Sequence, residues 1–206
     1  MLVSTFSPSC CTSPQRPIQS TAVDWSHNRP LEKPPSYSLV TMRYLMQEKI
    51  FAIGNDFWVQ DDQGNRPFVV DGKALRERFD LKDPDGHVLV RIHKKHLAIR
   101  ESLKIEDGDG QTLATVRAAW FSPIKHRYEV ELADGSKWEA VGNFTDKDWA
   151  LTDQGGRVVG RISKQWFAIR DSYGIEVAPG ANDPLIIGIA VCIDRIHEDK
   201  AAKEQR

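Results

Sequence analysis

The chain has little cysteine: it contains three, Cys10, Cys11 and Cys192, which are too few for a disulfide framework. Cys192 lies inside an apolar run, where a free cysteine is ordinarily a buried thiol. The first residues contain neither a basic region nor an apolar stretch long enough for a secretory signal. These absences argue against a secreted, disulfide-stabilised protein and predict a reducing compartment, the cytoplasm.

Neither sign of charge is in surplus. The 28 Lys and Arg residues face 29 Asp and Glu residues, so the formal net charge is -1 and the isoelectric point is near 6.6. A chain without a net positive field does not attract nucleic acid as a whole, and we therefore expect no nucleic-acid partner.

Long hydrophobic runs are also missing. The longest, Leu185–Ile193, has nine residues, whereas a membrane-spanning helix needs about twenty. We therefore expect a chain that is not transmembrane. We also expect a monomer.

Recognised catalytic and metal-binding motifs are absent as well. The sequence has no nucleophile elbow, phosphate loop, paired cysteines or HExxH helix, which predicts a non-enzyme without a cofactor. His93 and His96 lack a third metal ligand nearby, so a solvated turn is the expected structure there. The segment from Asp107 to Gly110 lacks the alternating oxygen ligands and distal glutamate of a calcium loop, and it too predicts a turn.

The composition divides the chain into three parts. Residues 1–41 hold six of the eleven prolines and eight serines without a hydrophobic period, which predicts a disordered leader. An alternative is that translation begins at Met42, where the first globular sequence starts. The leader also contains the PPxY pattern Pro34-Pro35-Ser36-Tyr37, which WW domains bind. We expect one globular domain over residues 42–197 and a charged tail over 198–206.

Two segments of the globular part align without a gap. Residues 81–105 and 151–175 are identical at twelve of twenty-five positions, at an offset of seventy. Such an offset is too long for a solenoid and indicates two halves of one domain. Val88, Val90 and Ile92 alternate with outward-facing residues, which is typical of strands with one buried face. Frequent turn signals bring the expected total to about twelve antiparallel strands.

The apolar run Leu185–Ile193 has no polar face. Its isoleucines and valine would suit a strand, but Asp183 as N-cap and Pro184 at the first helical position are typical of a helix start. We expect a helix over residues 184–197. A helix that is apolar on all sides must be surrounded, and the two-part sheet is available to surround it.

The repeated text DxxGxVxxRIxKxxxAIR, the stretch WFAIRDSYGIEV and the closing DPLIIGIAVCIDRI together resemble the LURP-one-related family, and within it the bacterial YxjI-type proteins. This resemblance covers about residues 42–197. It implies the Tubby C-terminal-like fold, a mainly β, closed antiparallel barrel of about twelve strands around a central hydrophobic C-terminal helix. Gly160 stands where the first aligned segment has Val90, which fits a close approach of the barrel wall to the helix.

The resemblance implies no defined activity, since the family has none that is agreed. Relatives by fold include Tubby proteins, which bind phosphoinositides through basic side chains, and the membrane-associated phospholipid scramblases. The chain has no residue-by-residue match to the Tubby basic motif, and it lacks the cysteine-rich palmitoylation region of scramblases.

The candidate binding residues are basic. They could form a patch for an anionic lipid headgroup, while the ordinary interpretation is that they are solvated strand and turn residues: Arg91, Lys94, Lys95, Lys125 and Arg127. The sequence therefore predicts a non-enzymatic module that binds anionic lipid and is peripheral to a membrane. The alternative is a soluble protein-interaction or scaffold protein. A small-ligand carrier or enzyme would need an open cavity, which a helix inside the barrel would fill.

Overall fold

The computed structural model describes residues 41–47, 57–73, 78–94, 101–119, 126–143, 148–163 and 172–204. The expected leader over residues 1–41 falls outside these ranges apart from its last residue. The described elements, in chain order, are β1 Met42–Gln47, β2 Phe57–Asp61, β3 Phe68–Lys73, β4 Arg78–Lys82, β5 Val88–Lys94, β6 Ser102–Asp107, β7 Thr112–Ala118, β8 His126–Leu132, β9 Lys137–Asn143, β10 Asp148–Thr152, β11 Val158–Ser163, β12 Ser172–Val177 and α1 Asp183–Glu204.

The strands form a closed antiparallel barrel in which each strand pairs with its neighbours in the sequence. The barrel closes where β1 pairs with β12, from Met42 opposite Val177 to Gln47 opposite Ser172. Side chains that alternate along the strands point inward, and Val90 and Ile92 are each 1% exposed, as expected. The predicted fold class, a mainly β barrel around a C-terminal helix, is confirmed.

Four of the hairpin turns share one local sequence, Asp-x-x-Gly. In the turn between β4 and β5, the Asp83 Oδ1 atom accepts a hydrogen bond of 2.8 Å from the His87 backbone N–H, and Gly86 has a φ of 90°. Glycine adopts this left-handed conformation without steric cost. The Asp side chain stabilises the turn because it accepts hydrogen bonds from backbone N–H groups later in the same turn. The other three turns begin at Asp61, Asp107 and Asp153.

The strand order places these four turns, together with the β8–β9 turn around Gly135, at one end of the barrel, which we call the hairpin end. We call the opposite end the exit end. The turn expected at Asp107 is thus confirmed, because its Oδ1 atom accepts the backbone N–H groups of Asp109 and Gln111.

The two aligned segments occupy equivalent strands. β4 and β10 start exactly seventy residues apart, as do β5 and β11, and β6 and β12. A register shift falls at Leu81/Lys82 in the first set and at Leu151/Thr152 in the second. The turn expected at His93 and His96 lies mostly outside the described residues.

The helix α1 fills the barrel. Its central apolar side chains are between 0% and 2% exposed: Ile186, Ile187, Ile189, Ala190, Val191, Cys192, Ile193 and Ile196. Burying about seven large side chains contributes on the order of 10–20 kcal/mol before the entropy of ordering is subtracted. A strand over Leu185–Ile193, the other expectation, is excluded, and the Cys192 thiol is buried with a raised pKa because of that burial.

Both ends of α1 differ from the expectation. Asn182 is the N-cap, because its side-chain Oδ1 accepts a 3.0 Å hydrogen bond from the Leu185 backbone N–H, so Asp183 is the first helical residue rather than the cap. The helix ends at Glu204 rather than at 197, so most of the expected charged tail is helical. Residues 198–204 are mainly Glu, Lys and Ala, which favour helix strongly enough to extend it.

Two glycines fit the helix to the barrel wall from opposite sides. A Cβ atom on Gly160 of β11 would lie 2.9 Å from Ile186 Cγ2 of α1, which confirms the expected close approach. At the equivalent position of the first segment the wall carries Val90, and there the helix carries Gly188. The wall has a glycine where the helix has the large side chain of Ile186. The helix has a glycine where the wall has the larger side chain of Val90.

Candidate functional site

Arg91 lies on the outer face of β5 and pairs with a buried carboxylate. Its Nε atom is 3.2 Å from Asp80 Oδ1, and Arg78 Nη2 is 2.6 Å from Asp80 Oδ2. Asp80 is 1% exposed. Burial raises the pKa of this carboxyl, but the ion pairs with Arg78 and Arg91 outweigh burial and lower it. Arg91 therefore compensates a buried charge.

Lys94 of β5 forms an ion pair with α1. Its Nζ atom is 3.2 Å from Asp199 Oδ2, and the second oxygen of Asp199 is 2.8 Å from Arg195 Nη2. One further pair joins Lys203 of α1 to Glu101, the residue before β6. These pairs lie at the exit end and hold the last turns of the helix.

Arg127 is the most exposed described member of the predicted basic patch. Its side chain is 50% exposed and its Nη1 atom lies 3.1 Å from Glu139 Oε1. Lys95 and Lys125 fall outside the described residues. Lys94 and Arg127 both lie near the exit end, but β6 and β7 separate their strands. Arg91 and Lys94 thus lie on β5 and Arg127 lies on β8, and the structure does not bring all three together.

The β4–β5 turn contains a group that the sequence analysis missed. Ligand atoms of Asp83, Asp85 and His87 lie within 4.8 Å of one another. His87 Nδ1 is 2.9 Å from Asp83 Oδ2, a contact that raises the pKa of His87 above its usual range. In the second aligned segment Arg157 makes the equivalent contact with Asp153, at 3.2 Å. This correspondence favours a turn-stabilising ion pair, and the alternation Asp-x-Asp-x-His is the sequence signal that could have located it.

A surface groove of about 670 Å³ lies on the outer wall from β7 to β10. Glu129 of β8 stands directly opposite Glu139 of β9 in its lining. Arg117 pairs with Glu129 at 3.7 Å and also with Glu131. Four carboxylates line the groove, namely Glu129, Glu131, Glu139 and Asp153, against the two cations Arg117 and Lys137, and Arg127 pairs with Glu139 from beside it. The groove is therefore acidic.

Two large apolar side chains are exposed on the described surface. Trp58 of β2 is 44% exposed and Met42 of β1 is 40% exposed. The Arg66 guanidinium carbon lies 5.4 Å from the Trp58 ring centroid, a cation–π contact. The alternation along β2 gave no reason to single out Trp58, because large rings on strands usually fill the interior.

Among the described residues, no helix combines the length and apolarity that crossing a bilayer requires.

The LURP-one-related family model matches residues 42–194. The chain is 26% identical over 153 residues to the uncharacterized protein YxjI of Bacillus subtilis strain 168, covering 73% of this chain and 91% of that one. It is 27% identical over 188 residues to protein LURP-one-related 12 of Arabidopsis thaliana, covering 78% and 84%. A solved X-ray structure of an Arabidopsis thaliana protein superposes with a TM-score of 0.59 at 15% identity, covering 76% and 91%.

The structural likeness establishes the fold, and the family model covers all the described strands and the first half of α1. The resemblance inferred from the repeated motifs and the closing helix is confirmed: the chain belongs to the LURP-one-related family, as a YxjI-type member.

Proposed function

We propose that the protein is a non-enzymatic binding module that holds anionic groups, such as the headgroups of an anionic membrane surface, at its exit end. The filled interior supports a surface function. In the described part of the chain, α1 side chains such as Ile189 and Ile193 occupy the barrel axis. A ligand therefore has the outer surface and the two ends available to it.

The observation that carries the proposal is the polarity of the strands. Lys94 is the last residue of β5, and Arg127 is the second residue of β8. Because these strands are antiparallel, the two positions lie towards the same end of the barrel. Lys95 and Lys125, which lie outside the described residues, are close to Lys94 and Arg127 in the sequence. Clustered Lys and Arg residues gain about 1 kcal/mol each near an anionic membrane.

The ion pairs decide which of these cations an anion could reach. An exposed pair such as Arg127 with Glu139 is worth about 0–1 kcal/mol, so a headgroup phosphate can displace the carboxylate at little cost. Arg91 is different, because releasing it would leave the buried Asp80 with one partner fewer. We therefore assign the binding role to Lys94, Lys95, Lys125 and Arg127, and a structural role to Arg91.

Flotation with lipid vesicles tests this proposal. Vesicles of phosphatidylcholine with phosphatidylserine should carry the protein at low salt and release it at high salt, whereas pure phosphatidylcholine vesicles should not bind it. Lys95→Glu with Lys125→Glu should abolish binding. Arg157→Glu with Lys137→Glu is the matched control, since it changes the charge equally near the hairpin end. No salt-sensitive binding by the wild type, or equal loss in both double variants, would contradict the proposal.

The second candidate is a protein-interaction module, and the exposed Trp58 favours it. Tryptophan and arginine are over-represented among the residues that dominate protein interfaces. Trp58 and Arg66 are already stacked, so a partner would meet a partly ordered pair.

This candidate is tested with two immobilised baits, wild type and Trp58→Ser. One stoichiometric partner that binds the wild type and is lost with Trp58→Ser would support it. Gln154→Ser, in an exposed turn, is the control bait and should retain the partner. An identical set of captured proteins on all three baits would contradict the role of Trp58.

A further inference from the structure

Three basic side chains stand directly opposite one another on the outer wall of the barrel, and we call them the basic row. Arg78 of β4 pairs in register with His93 of β5, which pairs in register with Lys104 of β6. Their neighbours along the strands, such as Ile92 and Ile105, are buried in the core, so the row faces outward. Strands lie about 4.8 Å apart, so the row spans about 10 Å, which long Arg and Lys side chains can bridge.

Two carboxylates contact the basic row, and each is shared. Asp80 accepts from Arg78, through Nε at 2.9 Å and Nη2 at 2.6 Å, and also from Arg91. Glu106 lies 2.9 Å from Lys104 and 3.6 Å from the histidine of the row. The two acidic side chains are 2% and 14% exposed, whereas those of the row are between 29% and 33% exposed. Among the described residues, two carboxylates thus serve three cations and a histidine, which leaves an excess of positive charge at the surface.

The members of the basic row have donors beyond those that their carboxylates use. Arg78 binds Asp80 with Nε and Nη2, and its guanidinium has a third nitrogen, Nη1. The ammonium group of Lys104 has three N–H donors for one carboxylate contact, and His93 faces Glu106 with Nδ1, which leaves Nε2 as its second ring nitrogen. Arg supplies a planar fork and Lys a point charge, and both are common ligands of phosphate oxygens. The row therefore suits a phosphate group.

The second half of the barrel shows that the fold does not need these cations. Seventy residues later the same row consists of Asp148, Ser163 and Gly174, again opposite one another on three adjacent strands. Arg91, in contrast, has a counterpart in Arg161. Because equivalent strands form with either set of row residues, the cations of the basic row are not required for strand pairing.

We propose that the basic row, Arg78, His93 and Lys104, binds a phosphate group, free or on a lipid headgroup, on the outer wall from β4 to β6. The site consists of described residues that the proposed function does not use, so it goes beyond that function and does not rest on it. A bound phosphate supplies the negative charge that the two shared carboxylates provide only in part.

Titration of the full chain with inorganic phosphate, followed by amide chemical shifts at pH 7 and constant ionic strength, tests the site. We expect saturable shifts at Arg78, His93 and Lys104. The equivalent positions Asp148 and Ser163 are an internal control and should shift much less. Shifts of equal size in the two rows would show that the anion does not select the basic row, and would overturn the proposal.

Lys104→Gln removes one cation of the row and leaves Arg78 in place on the buried Asp80. It should weaken phosphate binding about fivefold, the factor expected for one exposed ionic contact. Lys137→Gln, which removes an exposed cation of β9, is the matched control and should change binding by less than twofold. Thermal melting checks that each variant is folded. If Lys104→Gln is not folded, His93→Ser, which copies the residue of the second row, takes its place.

Flotation with phosphatidylcholine vesicles that contain phosphatidic acid, a phosphate monoester, distinguishes the two sources of the phosphate. Vesicle binding that Lys104→Gln weakens indicates a lipid headgroup. Saturable binding of inorganic phosphate at the row without vesicle binding indicates a free ligand, and it would contradict the proposed function while this inference stands.

Two results overturn this inference. The first is that Lys104→Gln and Lys137→Gln bind equally in both assays, and the second is that the wild type binds in neither. If vesicle binding is unchanged in Lys104→Gln but lost in Lys95→Glu with Lys125→Glu, the proposed function stands and the basic row is not its site.

Discussion

The hydroxyl of Tyr44 in β1 donates a hydrogen bond to the carboxylate of Asp183, the first residue of α1. The two residues are 139 positions apart, so this hydrogen bond joins the first described strand to the start of the central helix. Burial, followed by the hydrogen bond to Asp183, raises the pKa of the Tyr44 hydroxyl above its usual range.

Tyr44→Phe should therefore lower the free energy of unfolding by about 1–2 kcal/mol, since it removes a hydrogen bond to a charged acceptor and little packing. Urea unfolding at pH 7 measures the loss. In a double-mutant cycle, Tyr44→Phe should cost much less when Asp183 is already Ala, which has no acceptor for the hydroxyl. The raised pKa means that the stabilisation from Tyr44 is present below about pH 10, the usual tyrosine value, and falls as the pH rises above it. Additive losses in the cycle would contradict the interaction.

Ile189→Asp should leave the protein insoluble or without fixed tertiary packing. Ile189 is 0% exposed, and a carboxylate there would enter the barrel axis without a partner, at a cost above about 4 kcal/mol. Near-ultraviolet circular dichroism and thermal melting report the loss. Ala202→Asp, in the exposed last turn of the same helix, should melt like the wild type. A cooperative melt for Ile189→Asp would show that the helix is not enclosed.

The two glycines at the helix–wall contact should respond with opposite signs. Gly160→Ala should destabilise the protein by about 1–3 kcal/mol, because the new Cβ would lie 2.9 Å from Ile186 Cγ2. Gly188→Ala should stabilise it by about 0.5–1 kcal/mol, since its Cβ would meet Val90 Cγ2 at 3.5 Å, an ordinary contact, and alanine favours helix. Equal effects of the two substitutions in chemical denaturation would refute the reciprocal fit.

Asp80 should make stability depend on acid. Its folded-state pKa lies below the unfolded value of about 3.9, so its contribution is complete above that pH and is lost as the pH falls through the lower folded-state pKa. Asp80→Asn should cost about 2–3 kcal/mol at pH 7, because Arg78 and Arg91 lose their charged partner. The difference from wild type should shrink towards pH 2. Asp85→Asn, exposed in the adjacent turn, is the control and should have little effect at either pH.

The sequence predicts the local features of this protein well, because neighbouring residues determine them. The Asp-x-x-Gly turns, the inward Val90 and Ile92, and the buried helix follow from turn chemistry and hydrophobic period. Gly160 was recognisable because the first aligned segment supplies a comparison. The N-cap was misplaced by one residue, since Asn182 and Asp183 are both good caps.

The candidate site was harder to predict, because ion pairs depend on how distant elements are placed. Lys94 and Asp199 are 105 residues apart, and their contact follows from the rotation of α1 inside the barrel. Asp80 is buried because two cations flank it, and Arg91 reaches it across the β4–β5 pair. A pattern of basic residues reveals which side chains are charged, but not which of them are already paired.

The position of α1 after the twelve described strands affects how the chain can fold during synthesis. Strands β1 to β12 are made first, and their inward side chains have no helix to pack on until residues beyond Asp183 have left the ribosome. Closure also joins β1 to β12 across more than a hundred residues, and such non-local pairing is slow. Until α1 is available, the apolar inner face of the sheet lacks the side chains that cover it, and exposed apolar surface of this kind is prone to aggregate.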